Sequence, residues 1–389
     1  MAIMLTALLF NPIEKKLFRS PQDKYAGMFF ISMVLSTLAQ FWISNTINVA
    51  IQTLKVAATY YLFIIILDSE VRFKRAVWSL VVLMTIVALM GVLQYHGYDI
   101  TGAGMGWSAF KSVWQIYGTG YFNNPNDLAY STVLVVPFGL GLIFQAKGFA
   151  GRFGGLVITV ISLYCIYLTR SRGGLVALAA CLFSWAYFWI ENPKRKKQMI
   201  VFALLAVFAV ASVQAGNYRE DRSAMGRIEA WQEGWQMLKN HPIAGVGFEQ
   251  FREHHSIDTH NSYVRAAAEL GLVGLYSYVG MVSMVLFTII RIAARPENKR
   301  WRFYYAGFGG FVVSYLLASL FSTRTYDPIL LMCIALVGIL GRFSLKNSGE
   351  VSTEGVLFPK MTAHLWNKNI FGITIAILIS WYLFLRQVY

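Results

Sequence analysis

The chain has 389 residues, of which 57% are hydrophobic and only 14% are charged, and its net charge is +15. A soluble domain has about 25% charged residues, so this composition excludes a typical soluble enzyme. The positive charge lies mainly in short loops between apolar runs, which is a signal of membrane topology and argues against a nucleic-acid partner. The aromatic fraction is 15%, and Trp and Tyr favour the two bilayer interfaces.

Apolar runs of about 20 residues, the length of helix that crosses the hydrocarbon core, recur along the chain. The predicted fold is therefore an all-α polytopic transmembrane helical bundle of about 11–12 spans. The N-terminus has neither the basic region nor the small-residue cleavage site of a secretory signal peptide, so we expect no cleavage there. The predicted segments, of which the first is too short to span alone, are 2–10, 27–43, 46–67, 75–95, 127–145, 154–169, 173–190, 199–214, 269–291, 303–322, 329–343 and 370–385.

The linker at 191–198 carries Lys194 to Lys197, and the positive-inside rule places it in the cytoplasm. Alternation of the spans puts the other basic loops on the same side and leaves two long segments on the outer face. The predicted organisation is a transmembrane half at 1–214 with an outer loop at 96–126, a periplasmic helical cap at 215–268, and C-terminal transmembrane helices at 269–389.

The outer segment 215–268 is predicted to fold rather than to form a loose linker. The stretch from Arg227 to Leu238 repeats apolar residues at helical spacing on one face, and these are Ile228, Trp231, Trp235 and Leu238. The sequence Asn240-His-Pro242 is typical of a helix end. A second helix is expected to begin near Asn261 and to continue into the span at 269–291.

Three polar clusters stand where predicted spans begin, and the topology places all three on the outer face: Asn123-Asn-Pro-Asn-Asp127, Thr169-Arg-Ser-Arg-Gly-Gly174 and Thr259-His-Asn-Ser-Tyr263. A helix N-terminus presents unpaired N–H groups and the positive end of the helix dipole. Three such termini beside arginines indicate an anion site, and phosphate is the natural ligand. For the first cluster, which holds the possible supporting residue Asn126, a simple turn and helix cap is the alternative interpretation.

The second cluster joins two apolar runs with almost no loop, so Arg170 and Arg172 are expected near the membrane surface. A guanidinium inside the bilayer is costly, and snorkelling to lipid headgroups would account for one of the two. Both together favour a phosphate site, and Gly173 and Gly174 would let a bulky group approach the backbone.

His260 is the best single candidate for proton chemistry, since it stands at the mouth of a helix between the cap and the membrane. A neutral imidazole there can take a proton from an acceptor hydroxyl. A surface histidine without a role is the alternative, and so is a metal site with His254 and His255, although no HExxH motif is present. Further candidates beside it are the possible phosphate ligands Arg222, Arg227 and Arg265 and the possible supporting residues Asn261 and Tyr263.

Other chemistry has no motif in the sequence. The phosphate-binding P-loop, GxGxxG after a strand, and GxSxG are all absent. The cysteines, Cys165, Cys181 and Cys333, lie within apolar runs and form no metal or redox pattern. We therefore expect no cofactor and no metal, and the energy for a reaction must come from an activated substrate.

At these residues the sequence resembles the O-antigen ligase and polymerase superfamily. The resemblance covers about residues 118–290, and its motifs follow one another in the family's order. They are Gly120-Tyr-Phe-Asn-Asn-Pro-Asn-Asp-Leu-Ala129, Thr169-Arg-Ser-Arg-Gly-Gly174, Arg227 with Trp231, His241-Pro-Ile-Ala-Gly-Val-Gly-Phe248, and His260-Asn-Ser-Tyr263 followed by Glu269-Leu-Gly-Leu-Val-Gly-Leu275.

The resemblance implies a glycosyltransferase of the bacterial inner membrane that acts on the periplasmic face. Such enzymes move a glycan from an undecaprenyl-pyrophosphate carrier to an acceptor without a nucleotide sugar or a divalent metal. Matched by motif, the family's two arginines and its histidine fall on Arg172, Arg227 and His260. In the mechanism that this resemblance implies, Arg172 and Arg227 bind the pyrophosphate, with support from Arg170 and Arg222. His260 deprotonates the acceptor hydroxyl, which then attacks the anomeric carbon with inversion.

Several alternatives remain open at this point. The acceptor can be lipid A–core, a growing polysaccharide or a protein hydroxyl, which would make the chain a ligase, a polymerase or an O-oligosaccharyltransferase. From a different class, a lipid-linked glycan transporter or flippase would also be polytopic, but transporters place ionisable residues near the bilayer midplane. The sequence leaves the sugar, the oligomeric state and the number of N-terminal helices undetermined.

Overall fold

A computed structural model describes residues 19–100, 102, 105–108, 113–118, 122, 124–201, 222–346, 351, 357 and 363–388. Backbone contacts divide the chain into two compact units. Unit 1 comprises Met1–Asp68, Lys197–Thr288 and Ser319–Tyr389, and unit 2 comprises Ser69–Lys196 and Ile289–Ala318. The predicted segment 2–10 and most of the predicted segment 199–214 lie outside the described residues.

The described part of the chain is almost entirely helical. In chain order its elements are α1 (Pro21–Leu38), α2 (Ile43–Ile66), α3 (Glu70–Tyr95), β1 (Met105–Ser108), β2 (Val113–Ile116), α4 (Pro125–Val133), α5 (Val136–Gln145), α6 (Phe149–Leu168), α7 (Arg172–Trp189), α8 (Arg222–Asn240), α9 (Phe251–His254), α10 (Ser262–Ala293), a 3₁₀ helix (Pro296–Trp301), α11 (Arg302–Ala318), α12 (Pro328–Ser344) and α13 (Ala363–Val388).

Every predicted span from 27–43 to 173–190, and from 269–291 to 370–385, lies largely in helix. The first of these helices ends at Leu38 and α11 ends at Ala318, before the predicted ends at 43 and 322. Among the described residues, seven helical stretches are long and apolar enough to cross a membrane. They are Ile43–Ile66, Glu70–Tyr95, Pro125–Gln145, Phe149–Leu168, Arg172–Trp189, Ser262–Ala293 and Asn367–Gln387. The prediction of an all-α, multi-pass helical membrane protein is therefore confirmed.

The span predicted at 127–145 is two helices rather than one. Helix α4 ends at Val133 and α5 begins at Val136. Pro137 lies in the first turn of α5, where its missing N–H and its ring interrupt the preceding helical ladder. The Leu134 and Val135 N–H groups instead donate to the Ser131 and Thr132 carbonyls at 3.3 and 3.0 Å.

Helix α10 also contains a break, at Gly271, whose φ and ψ are 66° and −164°. The turn that follows α8 supplies the hydrogen bonds that the break removes. Val246 N–H donates to the Ala268 carbonyl at 2.9 Å, and Leu272 N–H donates to the Pro242 carbonyl at 2.8 Å. A Cβ on Gly271 would lie 2.3 Å from the Ile243 carbonyl oxygen, so this close approach requires glycine.

The segment predicted to be an outer loop, 96–126, contains a small antiparallel hairpin that the all-α prediction did not include. Strands β1 and β2 pair with Met105 opposite Ile116 and Ser108 opposite Val113. The Nε2 of Gln115 donates a hydrogen bond of 2.8 Å to the main-chain carbonyl of Thr169. The hairpin is thereby bonded to the turn between α6 and α7.

The cap segment has its own apolar core within unit 1. The buried residues that cluster there are Ala230, Met237, Val246, Phe251 and Ala268. They come from α8, the turn after it, α9 and the first part of α10, and burying one large apolar side chain contributes about 1.5–3 kcal/mol. The helix predicted from Arg227 to Leu238 is confirmed, and its end at Asn240 is where the sequence predicted it.

Candidate active site

The arginine turn of unit 2, residues 169–174, is built by its hydroxyl side chains. Ser171 is the N-cap of α7, and its Oγ accepts a hydrogen bond of 3.0 Å from Gly174 N–H. Thr169 is fully buried, and its Oγ1 accepts 3.3 Å from Ser171 N–H. Arg170 between them has φ of 52°, a left-handed conformation that is uncommon for a non-glycine residue. The prediction that this cluster opens a helix is confirmed.

The first polar cluster is bonded directly to this turn. Asn124 caps α4 by accepting 2.8 Å from Asn126 N–H, which confirms the capping interpretation. The Asn126 side chain has a second contact, since its Oδ1 accepts a hydrogen bond of 2.6 Å from Ser171 Oγ. Two of the three predicted clusters therefore meet within unit 2.

The two arginines of the turn differ in their surroundings. The guanidinium carbon of Arg170 lies 4.2 Å from the centroid of the Tyr167 ring, a cation–π contact. Arg172 is the first residue of α7 and is exposed. Within the described ranges, its guanidinium makes no hydrogen bond or ion pair. A charged group at a helix N-terminus without a protein partner is available to an anion.

The expectation that Gly173 and Gly174 leave space for a bulky ligand is corrected by the structure. A Cβ on Gly173 would lie 2.0 Å from the hydroxyl oxygen of Tyr130, and one on Gly174 would lie 2.6 Å from Cβ of Ala129. Both contacts come from α4. The two glycines therefore allow α4 and α7 to pack closely, and the space above their backbone is filled by protein.

The third cluster, residues 259–263, belongs to unit 1 and opens α10 as predicted. Asn261 Oδ1 accepts hydrogen bonds from the N–H groups of Tyr263 at 2.9 Å and Val264 at 3.2 Å. The Tyr263 ring contacts the Tyr278 ring edge to face. His260 immediately precedes the capping residue Asn261 and has a φ of 45°. Such strain costs of order 1–3 kcal/mol and is typical of functional sites.

The His260 imidazole lies in a positively charged and half-buried place. Burial lowers the pKa of His260 below its ordinary value of 6.5, and the nearby Arg227 guanidinium lowers it further. Asp258 acts in the opposite direction, and Arg252 adds to the lowering. The imidazole is therefore neutral at neutral pH, which is the protonation state that a general base requires.

Helix α8 carries Arg227 and Trp231 one turn apart. The Arg227 Nε is buried and has no hydrogen-bond partner among the described residues. The Trp231 Nε1–H donates 2.7 Å to the Thr259 carbonyl. Arg222 is the first residue of α8, and its side chain lies outside the described part. The hydrogen bond from Trp231 joins α8 to the residue before His260, and the Arg227 charge acts on the His260 imidazole.

Arg265 is engaged with two carboxylates of unit 1. Its Nε donates a hydrogen bond of 3.0 Å to Glu269 Oε1, and its Nη1 donates one of 3.1 Å to Asp258 Oδ2. The Glu269 side chain is fully buried. The Glu269 carboxylate also accepts a hydrogen bond of 2.7 Å from the Tyr326 hydroxyl and one of 3.1 Å from Phe251 N–H. This network joins α9, α10 and the turn before α12.

Glu269 and Tyr326 were not recognised as site residues from the sequence. The spacing of four between Arg265 and Glu269 is a signal for a helical ion pair. Nothing local to residue 326 indicates its hydroxyl contact, because Tyr326 is distant from Glu269 in sequence. A second hydrogen bond also joins residues far apart in sequence. The Ser262 N–H donates it to the Ser319 carbonyl over 2.7 Å.

We expect Glu269→Ala to destabilise the cap by about 3–5 kcal/mol, the cost of removing one partner of a buried ion pair. The change leaves the buried groups of Arg265, Tyr326 and Phe251 without their acceptor. Thermal unfolding of the purified chain measures the effect. The control is Glu297→Ala, which removes an exposed pair with Arg295 and should cost at most about 1 kcal/mol. Equal effects of the two changes would contradict this assignment.

Within the described residues, no group of three or more His, Cys, Asp and Glu side chains is placed to hold a metal ion. The Nδ1 of His255 instead lies 2.9 Å from the Ile257 carbonyl. The histidines raised as a metal alternative therefore do not converge in this part of the chain.

The sequence was compared with family models and with known proteins. Residues 157–279 match the family model described as O-antigen ligase, a range that contains Arg170, Arg172, Arg227, His260 and Arg265. The chain is 27% identical over 201 residues to the exopolysaccharide production protein ExoQ of Rhizobium meliloti (strain 1021), covering 43% of this chain and 45% of ExoQ. It is 24% identical over 235 residues to the teichuronic acid biosynthesis protein TuaE of Bacillus subtilis (strain 168), covering 53% of this chain and 48% of TuaE.

The match spans about half the length of each of these relatives. The region shared with the O-antigen ligase family includes the arginine turn, the cap helix α8 and the start of α10. The resemblance of this chain to the O-antigen ligase and polymerase superfamily is therefore confirmed over residues 157–279.

Proposed function

We propose that this protein is a membrane glycosyltransferase of polysaccharide biosynthesis. It would move a glycan from an undecaprenyl-pyrophosphate carrier to the end of a growing polysaccharide. The observation that carries the proposal is His260, which precedes α10 with φ of 45° and lies within the region matched to O-antigen ligases. Burial and the Arg227 charge lower the pKa of its imidazole. The growing polysaccharide is favoured over lipid A–core because both relatives are named for polysaccharides.

The location we propose is the bacterial inner membrane, with the reaction on the periplasmic face. Basic residues concentrate in the short loops on one side, as with Lys194 to Lys197, and such loops face the cytoplasm. Under the predicted alternation of spans, the clusters that contain Arg172 and His260 would each begin a span on the periplasmic side. A substrate anchored by its lipid in the outer leaflet can reach groups there.

In the proposed reaction, the His260 imidazole accepts the proton of an acceptor hydroxyl. The hydroxyl oxygen forms a bond to the anomeric carbon as the bond from that carbon to the pyrophosphate oxygen breaks. Attack from the face opposite the leaving group inverts the anomeric configuration. The products are a lengthened glycan and undecaprenyl pyrophosphate, so atoms and charge balance without a cofactor.

The guanidinium groups would stabilise the leaving pyrophosphate. Arg172 is exposed, and the Nε of Arg227 has no hydrogen-bond partner in the described residues. Arginine binds phosphate oxygens by paired, charge-assisted hydrogen bonds, and such donors stabilise charge that develops in the transition state. Arg170 and Arg222 are proposed as additional phosphate contacts.

The remaining predicted residues are proposed as supports of these groups. Asn126 accepts a hydrogen bond from Ser171 of the arginine turn, and Asn261 caps the helix that follows His260. Arg265 has its charge balanced by Asp258 and Glu269, so we propose that it holds the cap and does not bind phosphate. Tyr263, at the same helix start, contacts the ring of Tyr278, which lies after the break in α10.

The pH dependence of transfer should report the state of His260. Only the neutral imidazole accepts a proton, so activity falls as the pH drops through its pKa. Burial and Arg227 lower this pKa from 6.5, and the midpoint of the acid limb of kcat/KM, which reports the free enzyme, should lie below pH 6.5. Arg227→Gln removes one lowering influence and should move that midpoint to higher pH. An unchanged midpoint in Arg227→Gln would count against the proposed pair.

The experiment that tests the acceptor uses the purified chain in detergent with carrier-linked repeat units as donor. Three acceptors are offered separately: a carrier-linked repeat, lipid A–core, and a peptide that carries Ser and Thr. We expect glycans of increasing length with the first acceptor. Transfer only to lipid A–core would identify a ligase, and transfer only to the peptide would identify a protein O-oligosaccharyltransferase, either of which would overturn the proposed acceptor.

A further inference from the structure

Trp231 connects the cap helix α8 to the residue that precedes His260. Its indole Nε1–H donates a hydrogen bond of 2.7 Å to the main-chain carbonyl of Thr259. The Trp231 ring also packs against Phe384 of α13, with ring centroids 5.5 Å apart. The ring contact fixes the orientation of the indole, and the indole in turn fixes the peptide that joins Thr259 to His260.

The backbone of His260 needs such restraint because its φ is 45°. Thr259 is fully buried, and its Oγ1 donates 3.0 Å to the Asn261 carbonyl. This bond passes around His260 and holds its two neighbours together. A strained backbone conformation persists only where the surroundings determine it. The hydrogen bond from Trp231 adds a restraint on this segment from α8.

The same helix carries Arg227, four residues before Trp231. Side chains four residues apart lie on the same face of a helix, about one turn from each other. Helix α8 therefore presents a guanidinium and an indole donor to the segment that contains His260. A rigid helix that carries both groups sets the distance between Arg227 and the imidazole.

We propose that Trp231 is a positioning residue, which holds the His260 imidazole in register with Arg227 through its hydrogen bond to Thr259. This inference rests on the proposed function, in which His260 removes the acceptor proton. Displacement of a reacting group by about 1 Å can lower a rate about 10²-fold. Loss of this bond should therefore slow the chemical step more than it weakens donor binding.

The test is Trp231→Phe, which keeps an aromatic ring against Phe384 and removes the N–H donor. Its matched control is Trp235→Phe, one turn further along α8. The Trp235 ring also packs on α13, against Trp381 and Tyr382, and makes no hydrogen bond to a described residue. The two variants lose the same atoms from the same helix.

We expect Trp231→Phe to lower kcat about tenfold or more with the donor KM nearly unchanged. Its melting temperature should lie at most a few degrees below that of Trp235→Phe, because it loses one hydrogen bond that the control never had. The acid limb of its pH profile should move to higher pH, because an imidazole that moves away from Arg227 loses an influence that lowers its pKa. Trp231→His, which retains a ring with an N–H donor, should recover part of the rate and serves if the Phe variant does not fold.

The outcomes separate this inference from the proposed function. If wild type transfers glycan, His260→Ala does not, and Trp231→Phe matches Trp235→Phe in kcat, the positioning role is wrong while the function stands. A loss of stability in Trp231→Phe without a selective loss of kcat would also overturn the role, since it would show simple packing. Absence of transfer by wild type to every acceptor would overturn the proposed function itself.

Discussion

His260→Ala is expected to lower the rate of glycan transfer about 10²–10⁴-fold, the usual contribution of a general base. Binding of the carrier-linked donor should change little, because the imidazole acts on the acceptor hydroxyl. The rate is measured as new glycan formed by the purified variant at saturating donor. A rate within a few fold of wild type would remove His260 from the mechanism.

Two further sets of variants make this result interpretable. His260→Asn keeps a residue type that tolerates positive φ, so it separates loss of the imidazole from strain at φ of 45°. His254→Ala and His255→Ala remove neighbouring imidazoles, and both should transfer glycan at near the wild-type rate. Loss of activity in one of those variants, with His260→Ala active, would move the base to a neighbouring histidine.

Arg172→Ala is expected to lower kcat about 10²–10³-fold, comparable to the loss of one donor that stabilises transition-state charge. The side chain is exposed and makes no hydrogen bond or ion pair to another described residue. Its removal should therefore leave the melting temperature unchanged, and the loss of activity would report substrate contact alone. Transfer is measured with the same donor and acceptor as for His260→Ala.

The conservative change Arg172→Lys distinguishes charge from geometry. Lysine keeps one positive charge but cannot form the paired hydrogen bonds of a guanidinium, so we expect a rate between those of wild type and Arg172→Ala. The control is Arg152→Ala in the first turn of α6, whose Nε donates to the Ala146 carbonyl and which is predicted to lie on the cytoplasmic side. Normal transfer by Arg172→Ala would exclude the phosphate clamp at this position.

Local sequence signals predicted most of the helices. Runs of apolar residues located the spans, and the apolar face from Ile228 to Leu238 located α8. Asn124, Ser171 and Asn261 were found at helix starts because capping depends on a few adjacent residues. Such features are predictable because the interacting groups lie within one or two turns of each other.

The features that were missed depend on residues far apart in sequence. Glu269 binds the Tyr326 hydroxyl, and the break at Gly271 is stabilised by the turn after α8. Gly173 and Gly174 were expected to leave space for a ligand, but the side chains of Tyr130 and Ala129 fill that space. Periodicity and capping give no information about which distant segment will fill a space or accept a hydrogen bond.

The most direct test of the central claim is whether purified wild-type protein forms a new glycosidic bond. The chain is incubated with an undecaprenyl-pyrophosphate-linked glycan and a carrier-linked acceptor, with a chelator and without nucleotide. We predict that lengthened glycan and undecaprenyl pyrophosphate appear in equal amounts. Movement of the intact carrier-linked glycan across a proteoliposome membrane, with no new bond formed, would contradict the account and indicate a transporter.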